Sequence, residues 1–260
     1  MILFAADLDN TLIYSEKHRK RGDICIEWRD GAEQSFLPPE AVELLRELNR
    51  RCFFVPITTR SLEQYRRIRW PEGCEPAYAV TTNGAYLLRN GEIDGDWQEE
   101  SAARFLPYRD ALERKLSLFR QDTRCLRCRM VDERYAFAVC IDDAAAQSCA
   151  RDYRDETPLT VCASGRKLYC FPPETDKGTA FLALRERLRA ADTVCAGDSG
   201  IDLPMLRLAR CAIVPADYPY PLPQDTDGTL CRADGGSFPL FVLRRVLSIA
   251  DKNGNEAGGK

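Results

Sequence analysis

Residues 4–15, FAADLDNTLIYS, run an apolar segment straight into two carboxylates, Asp7 and Asp9, and then a hydroxyl, Thr11. Ile2 to Ala6 reads as a buried strand. A fold alone has no use for like charges packed at a strand's end. Two carboxylates ~4 Å apart repel by about 1 kcal/mol in water and roughly four times that near a protein surface. A cation or a shared proton must offset the repulsion.

Outward from this stretch, the chain alternates. Glu40 to Arg51 places Ala41, Leu44, Leu45 and Leu48 at helical spacing, with Pro39 suited to a first turn. Cys52 to Ile57 is an apolar run with β-branched members, a second strand. Ser61 to Arg69 reads as a helix that Pro71 ends, and Tyr78 to Thr82 as a third strand. This order predicts an α/β fold, a Rossmann-like parallel sheet with helices on both faces. After Asn83-Gly84 the rhythm changes. A hairpin around Asn90-Gly91 is followed by a helix over 105–119. Paired strands over 124–131 and 135–141 and a helix over 144–153 come next, then a second hairpin around Ser164-Gly165. This α+β block predicts an inserted domain, residues 84–171, within a core formed by 1–83 and 172–250. The first rhythm resumes with helices over 176–189 and 203–209, strands over 193–196 and 212–214, and a final helix over 238–249. The Gly-rich polar end, 251–260, predicts a disordered tail.

The 37 Lys and Arg against 40 Asp and Glu leave a net charge of −3, with the basic residues scattered. That balance gives no nucleic-acid footprint. Six apolar residues precede Asp7, too few for a signal peptide or a membrane span, so no membrane partner is expected. Most of the twelve cysteines sit in apolar runs and read as small buried hydrophobes, which points to a reducing cytoplasm. Cys125 and Cys128 form a lone Cys-x-x-Cys. With His18 the only histidine and far away, no second ligand pair is evident.

Ligands of an open parallel sheet bind at the carboxyl ends of its strands. Asp7 and Asp9, Thr58 and Thr59, and Asp198 and Asp202 all fall at such ends. Lys177 opens a helix, where the partial positive charge of the N-terminal turn disfavours a cation unless an anion lies beside it. Each feature alone has a plain structural reading as a cap, a turn or a surface charge. Together, in this order, they point to one site.

Asp7-Leu8-Asp9-Asn10-Thr11, Thr58-Thr59-Arg60, Lys177-Gly178 and Gly197-Asp198-Ser199-Gly200-Ile201-Asp202 resemble the four motifs of the haloacid dehalogenase-like superfamily. The insertion, with Thr82-Asn83-Gly84-Ala85 leading into it, resembles the α/β cap of its Cof-type and sucrose-phosphatase-like branch. The resemblance covers essentially the whole chain. It implies an Mg²⁺-dependent phosphatase acting on a small phosphorylated metabolite, with sugar phosphates the leading theme. Asp7 would be the nucleophile and Asp9 the general acid and base. Thr58, Thr59 and Lys177 would hold the phosphoryl group. Asp7, Asp9, Asp198 and Asp202 would serve the metal, and Asn83 at the core–cap junction would reach substrate. Arg127, Arg129, Lys167 and Tyr169 are cap candidates that also read as solvated surface. Relatives often carry asparagine at the position of Ile201 and glycine at those of Thr59 and Asn10. A phosphomutase on the same fold, and a phosphometabolite-binding protein without turnover, are the alternatives.

Overall fold

The structure, a computed structural model, describes residues 1–154, 157–223 and 229–257. It opens with β1 (Ile2–Ala6), buried at every position. A two-residue strand, β2 (Tyr14–Ser15), then pairs with the hairpin β3 (Ile24–Arg29) and β4 (Ala32–Leu37). The hairpin was not expected from sequence. Its signal is Asp30-Gly31, both left-handed (φ 51° and 79°), the backbone that two-residue hairpin turns require. The expected elements follow as α1 (Pro39–Arg51), β5 (Cys52–Pro56), α2 (Leu62–Arg66) and β6 (Tyr78–Thr81). Ser61 and Gln64 close a capping box that starts α2.

Next come β7 (Tyr86–Arg89), β8 (Glu92–Ile93), α3 (Gly95–Phe105), α4 (Arg109–Gln121), β9 (Cys125–Val131) and β10 (Tyr135–Cys140). α5 (Asp143–Asp152), β11 (Thr160–Ser164) and β12 (Lys167–Phe171) complete the insertion. The chain then forms α6 (Lys177–Arg187), β13 (Thr193–Ala196), α7 (Leu203–Leu208), β14 (Cys211–Val214), β15 (Leu230–Arg232) and α8 (Phe238–Ala257). The last helix runs past its expected end at Ile249. Residues 251–257 therefore continue a helix rather than forming the expected disordered tail, and 258–260 lie outside the described residues. No helix among the described residues is long and apolar enough to cross a membrane.

The central sheet is parallel, in the order β15-β14-β13-β1-β5. Alternate side chains of β1 feed two cores. Phe4 and Ala6 join a cluster with Leu45, Phe54 and Val246, while Leu3 and Ala5 join one with Val55, Phe181 and Leu206. β6 runs beside β5 and is joined to Ile57, the residue after it, by a parallel bridge at Val80; it then pairs antiparallel with β7 and β8. The insertion forms a second sheet, in the order β11-β12-β10-β9, with α4 and α5 packed on one face. The junction expected at Gly84 does not mark a change of core. Leu87 and Trp97 pack with the second core cluster, and the Trp97 indole N–H donates to the Gly84 carbonyl at 3.0 Å. The insertion's own core begins at Phe105.

None of the twelve cysteines forms a disulfide. A bulge between Val139 and Cys140 sets Cys125 opposite Cys140, and Cys149 joins them from α5 with the three sulfurs within 4.8 Å. Cys140 and Cys149 are neighbours that the Cys-x-x-Cys spacing could not reveal.

Candidate active site

Asp7 stands just past the end of β1, buried, its N–H bonded to the Ala196 carbonyl of β13 at 2.9 Å. Lys177 reaches it from the start of α6. The ammonium donates to Asp7 Oδ1 at 2.5 Å and to Asp202 Oδ1 at 2.6 Å, and the residue is only 1 % exposed. Asp176 caps α6 by accepting the N–H groups of Gly178 and Thr179. A Cβ at Gly178 would lie 2.8 Å from Pro204, so the glycine lets α6 approach α7 closely. These two carboxylates answer the sign problem of a cation at a helix N-terminus.

Asp202 is fully buried. Its Oδ2 accepts Asp198 N–H, Ser199 N–H and Ser199 Oγ–H at 3.1, 2.9 and 2.9 Å. With Lys177 on Oδ1, the carboxylate receives four donors, three of them on Oδ2. Gly197 makes room for it, since a Cβ there would meet Asp202 Cβ at 2.4 Å. Asp198 accepts a long bond from Thr11 Oγ1 at 3.4 Å. Oxygens of Asp7, Asp198 and Asp202 lie within 4.8 Å of one another.

Three carboxylates against one ammonium leave two negative charges in a largely buried space. Burial pushes the Asp7 carboxyl well above its usual range against the pull of Lys177, and Asp202, Asp198 and Asp9 add to the rise. Asp198 is pushed up to about 7, by burial first and Asp202 second. Burial works against the Lys177 charge, but Asp202 and Asp7 more than reverse it and hold the ammonium charged. The uncompensated charge and the hard oxygen donors fit one divalent ion such as Mg²⁺, with Asp7 and Asp198 as the side chains that keep acceptor sites free. Asp202 is expected from sequence to serve the metal. Its carboxylate lies in the same group as those of Asp7 and Asp198, and it also holds Lys177 and the Asp198 loop.

Asp9 sits at the mouth of the site and is clamped. Arg60 Nε and Nη2 donate to its two oxygens at 2.9 and 2.8 Å. Burial raises the Asp9 carboxyl, but Arg60, then Lys167 and Lys177, outweigh it and hold the group below the usual carboxylate range. Arg60 also binds Glu27 at 2.7 Å, and Glu27, from the unforeseen hairpin, binds Arg67, which binds Glu63. Arg60 follows Thr58-Thr59 in the second motif, but its sequence position alone does not show that its side chain turns to Asp9. The buried Glu27 carried no signal because its hairpin was not foreseen.

A small cavity of about 40 Å³ is lined by Asp7, Asp9, Thr59, Lys167, Lys177 and Asp198, among others. Asp9, Thr59, Lys167 and Tyr169 also line a cleft of about 530 Å³ between the β3–β4 hairpin, α2 and the insertion. The structure thus brings Asp7, Asp9, Thr59, Lys177 and Asp198 to one cavity. Thr58 is fully buried and lines neither space; its Oγ1 accepts the Arg60 N–H at 3.1 Å. Asn83, expected to reach substrate, also lines neither. It is buried in a left-handed turn (φ 56°) and donates to the Thr175 carbonyl, stapling the two connections between core and insertion. Ile201 packs against the insertion's aromatic cluster of Tyr135, Tyr169 and Phe171.

A family model for sucrose-6F-phosphate phosphohydrolases matches residues 1–221. No curated protein sequence matches the chain. Among solved structures, the sucrose-phosphatase from Synechocystis, in complex with sucrose and phosphate, is 17% identical with a TM-score of 0.60, covering 96% of this chain and 98% of its own. The C-terminal domain of a C. albicans trehalose-6-phosphate phosphatase is 14% identical with a TM-score of 0.63, covering 96% and 92%. A haloacid dehalogenase-like hydrolase from B. subtilis is 16% identical with a TM-score of 0.55, covering 89% and 94%. Likeness at these identities shows the fold, a parallel α/β core with an inserted α+β unit. The family match over residues 1–221 and the convergence of the four motifs on one cavity carry the conclusion: the chain belongs to the sucrose-6F-phosphate phosphohydrolase family of the haloacid dehalogenase-like superfamily, and is a phosphoric monoester hydrolase.

Proposed function

We propose that the protein hydrolyses the phosphate monoester of a small sugar through a phosphorylated Asp7. The observation that supports this most is the buried Lys177 ammonium held between Asp7 and Asp202, beside an Asp198 with free acceptor sites. In this reading Asp7 Oδ attacks phosphorus, the ester oxygen leaves with a proton, and water then cleaves the acyl phosphate to restore Asp7. Lys177 pulls the Asp7 carboxyl towards its ionised form against burial and faces the phosphoryl oxygens, with Thr59 at the cavity wall and the Thr58 hydroxyl proton behind it. Mg²⁺, held by Asp7, Asp198 and the Asp9 carbonyl, would supply charge neutralisation at the transferred group.

Asp9 is the group placed to move protons. The Arg60 clamp keeps it ionised, which suits the base that activates water. Delivering a proton to the leaving oxygen requires the clamp to loosen as substrate enters. The insertion acts as a cap: Lys167, Tyr169 and Ser164 line the small cavity from above, excluding water and shaping the space for the leaving group. Twelve free thiols support a reducing compartment, the cytoplasm.

The test is release of inorganic phosphate from a panel of sugar phosphates by the purified chain with Mg²⁺. Turnover that Asp7→Asn abolishes supports the proposal. Isomerised sugar phosphate without free phosphate would make it a phosphomutase, and ligand binding with no turnover of any ester, p-nitrophenyl phosphate included, would make it a binding protein.

A further inference from the structure

We infer that the substrate carries a second anionic group, a carboxylate or another phosphate, which Arg127 and Arg129 of the insertion receive. The inference rests on the phosphatase reading and narrows its substrate class.

Side chains of a strand alternate between faces, so residues two apart share one. On the cleft side the insertion presents Arg127 and Arg129 of β9, Tyr135, Phe137 and Val139 of β10, and Lys167 and Tyr169 of β12. Cys128 also borders the cleft. Three of these are cationic and none is acidic. Register places Val139 between Arg127 and Lys167, so the two cations stand two strands, roughly 10 Å, apart at the backbone. Lys167 lines the small cavity as well as the cleft, whereas Arg127 and Arg129 line the cleft alone. A molecule with its phosphoryl group at Asp7 therefore extends past Lys167 towards the two arginines.

The opposite wall leaves those arginines without a counter-charge. Its acids, Asp9, Glu27 and Glu63, are each paired with Arg60 or Arg67. Arg127 makes no hydrogen bond or ion pair among the described residues. Arg129 has a long bond to Gln64 at 3.4 Å and stacks over the Phe137 ring at 5.7 Å. The transferred phosphoryl group is met elsewhere, by Lys177 at Asp7, where Asp7 and Asp198 would also hold a divalent ion. A neutral sugar offers hydroxyls that both donate and accept, while a guanidinium only donates. Paired guanidiniums beside an aromatic face fit a planar carboxylate or a phosphate instead.

The experiment compares two pairs of esters with matched skeletons: glucose 6-phosphate against 6-phosphogluconate, and fructose 6-phosphate against fructose 1,6-bisphosphate. Phosphate release by the full chain with Mg²⁺ is measured, with p-nitrophenyl phosphate as the control for the phosphatase reading. The expected result is a kcat/KM at least tenfold higher for the doubly anionic member of one pair. The carboxylate and phosphate arms tell the two anions apart. That ratio should fall towards one in the Arg127→Gln/Arg129→Gln variant and shrink with added salt. Turnover of the control with no preference in either pair, or a preference the variant keeps, overturns the inference and leaves the phosphatase reading standing. Without turnover of any ester, the phosphatase reading fails. The second anion is then judged by calorimetric binding of the same pairs, where equal affinities overturn it.

Discussion

Asp7, Lys177 and Asp202 form a chain of charges in which each group needs the next. Asp7→Asn keeps the side chain's shape and its place beside Lys177 but removes the nucleophile. Phosphate release should fall at least ~10³-fold with thermal stability within a few degrees of the parent. Lys177→Met strands two buried carboxylates and should cost about 3–5 kcal/mol in urea unfolding, as broken buried pairs do. Arg60 is subtler. It holds Asp9 below the usual carboxylate range, against a burial effect of opposite sign. In Arg60→Gln the main opposition to burial is lost, only Lys167 and Lys177 remain against it, and the Asp9 carboxyl rises. Water activation needs ionised Asp9, so the acidic limb of the kcat–pH profile should move to higher pH. A limb that stays in place would mean that Asp9 is not the group it reports. The need for an anion beside Lys177 was legible in sequence, but the Arg60 clamp was not. Arg60 stands two residues from Thr58 in a recognisable motif, but the direction of a long side chain is set by the Glu27 and Asp9 it finds in space.

At the scale of elements, the tip of the β9–β10 hairpin docks the insertion on the core through Asp132. Asp132, left-handed at its tip (φ 44°), accepts the Leu62 N–H at 2.9 Å and the Thr82 hydroxyl at 2.5 Å, both on the core. The Tyr135 hydroxyl donates to the Thr59 carbonyl at 2.6 Å and extends the same seam. Asp132→Ala removes the one oxygen that accepts both bonds, leaving two donors unmet, and should cost about 1–3 kcal/mol of docking. KM should rise more than kcat falls, and hydrogen exchange should quicken at the Leu62 amide. The elements legible in sequence were those with one clear period. β1 is uniformly apolar, α1 carries a strong stripe, and β9, β10 and β12 sit next to turn residues. The β3–β4 hairpin was missed because Ile24 to Leu37 mixes charges with apolar residues, its burial spread between two neighbours. α3 was missed because it starts on Gly95, a poor helix former, and is held by the Asp94 cap and Trp97 packing.

For the molecule as a whole, the acidic cluster couples stability to pH and to a divalent ion. Asp198 has a folded value of about 7 against an ordinary 3.8. The folded chain therefore binds more protons than the unfolded chain between those two values. Stability from this group is fully present below the ordinary value and is lost as pH rises through about 7. Metal-free protein should accordingly show a Tm that declines from pH 5 to pH 8, after correction for the Asp198→Asn variant. A bound cation favours the ionised carboxylate and competes with its proton. Added Mg²⁺ should therefore raise Tm little at pH 5 and clearly at pH 8, and its apparent affinity should increase across the same interval. Asp198→Asn should flatten both responses. A Tm rise with Mg²⁺ that is equal at both pH values, or that survives in Asp198→Asn, would place the ion away from the cluster. The link between strand-end carboxylates and a divalent cation, from which the FAADLDNTLIYS stretch was first read, would then have to be abandoned.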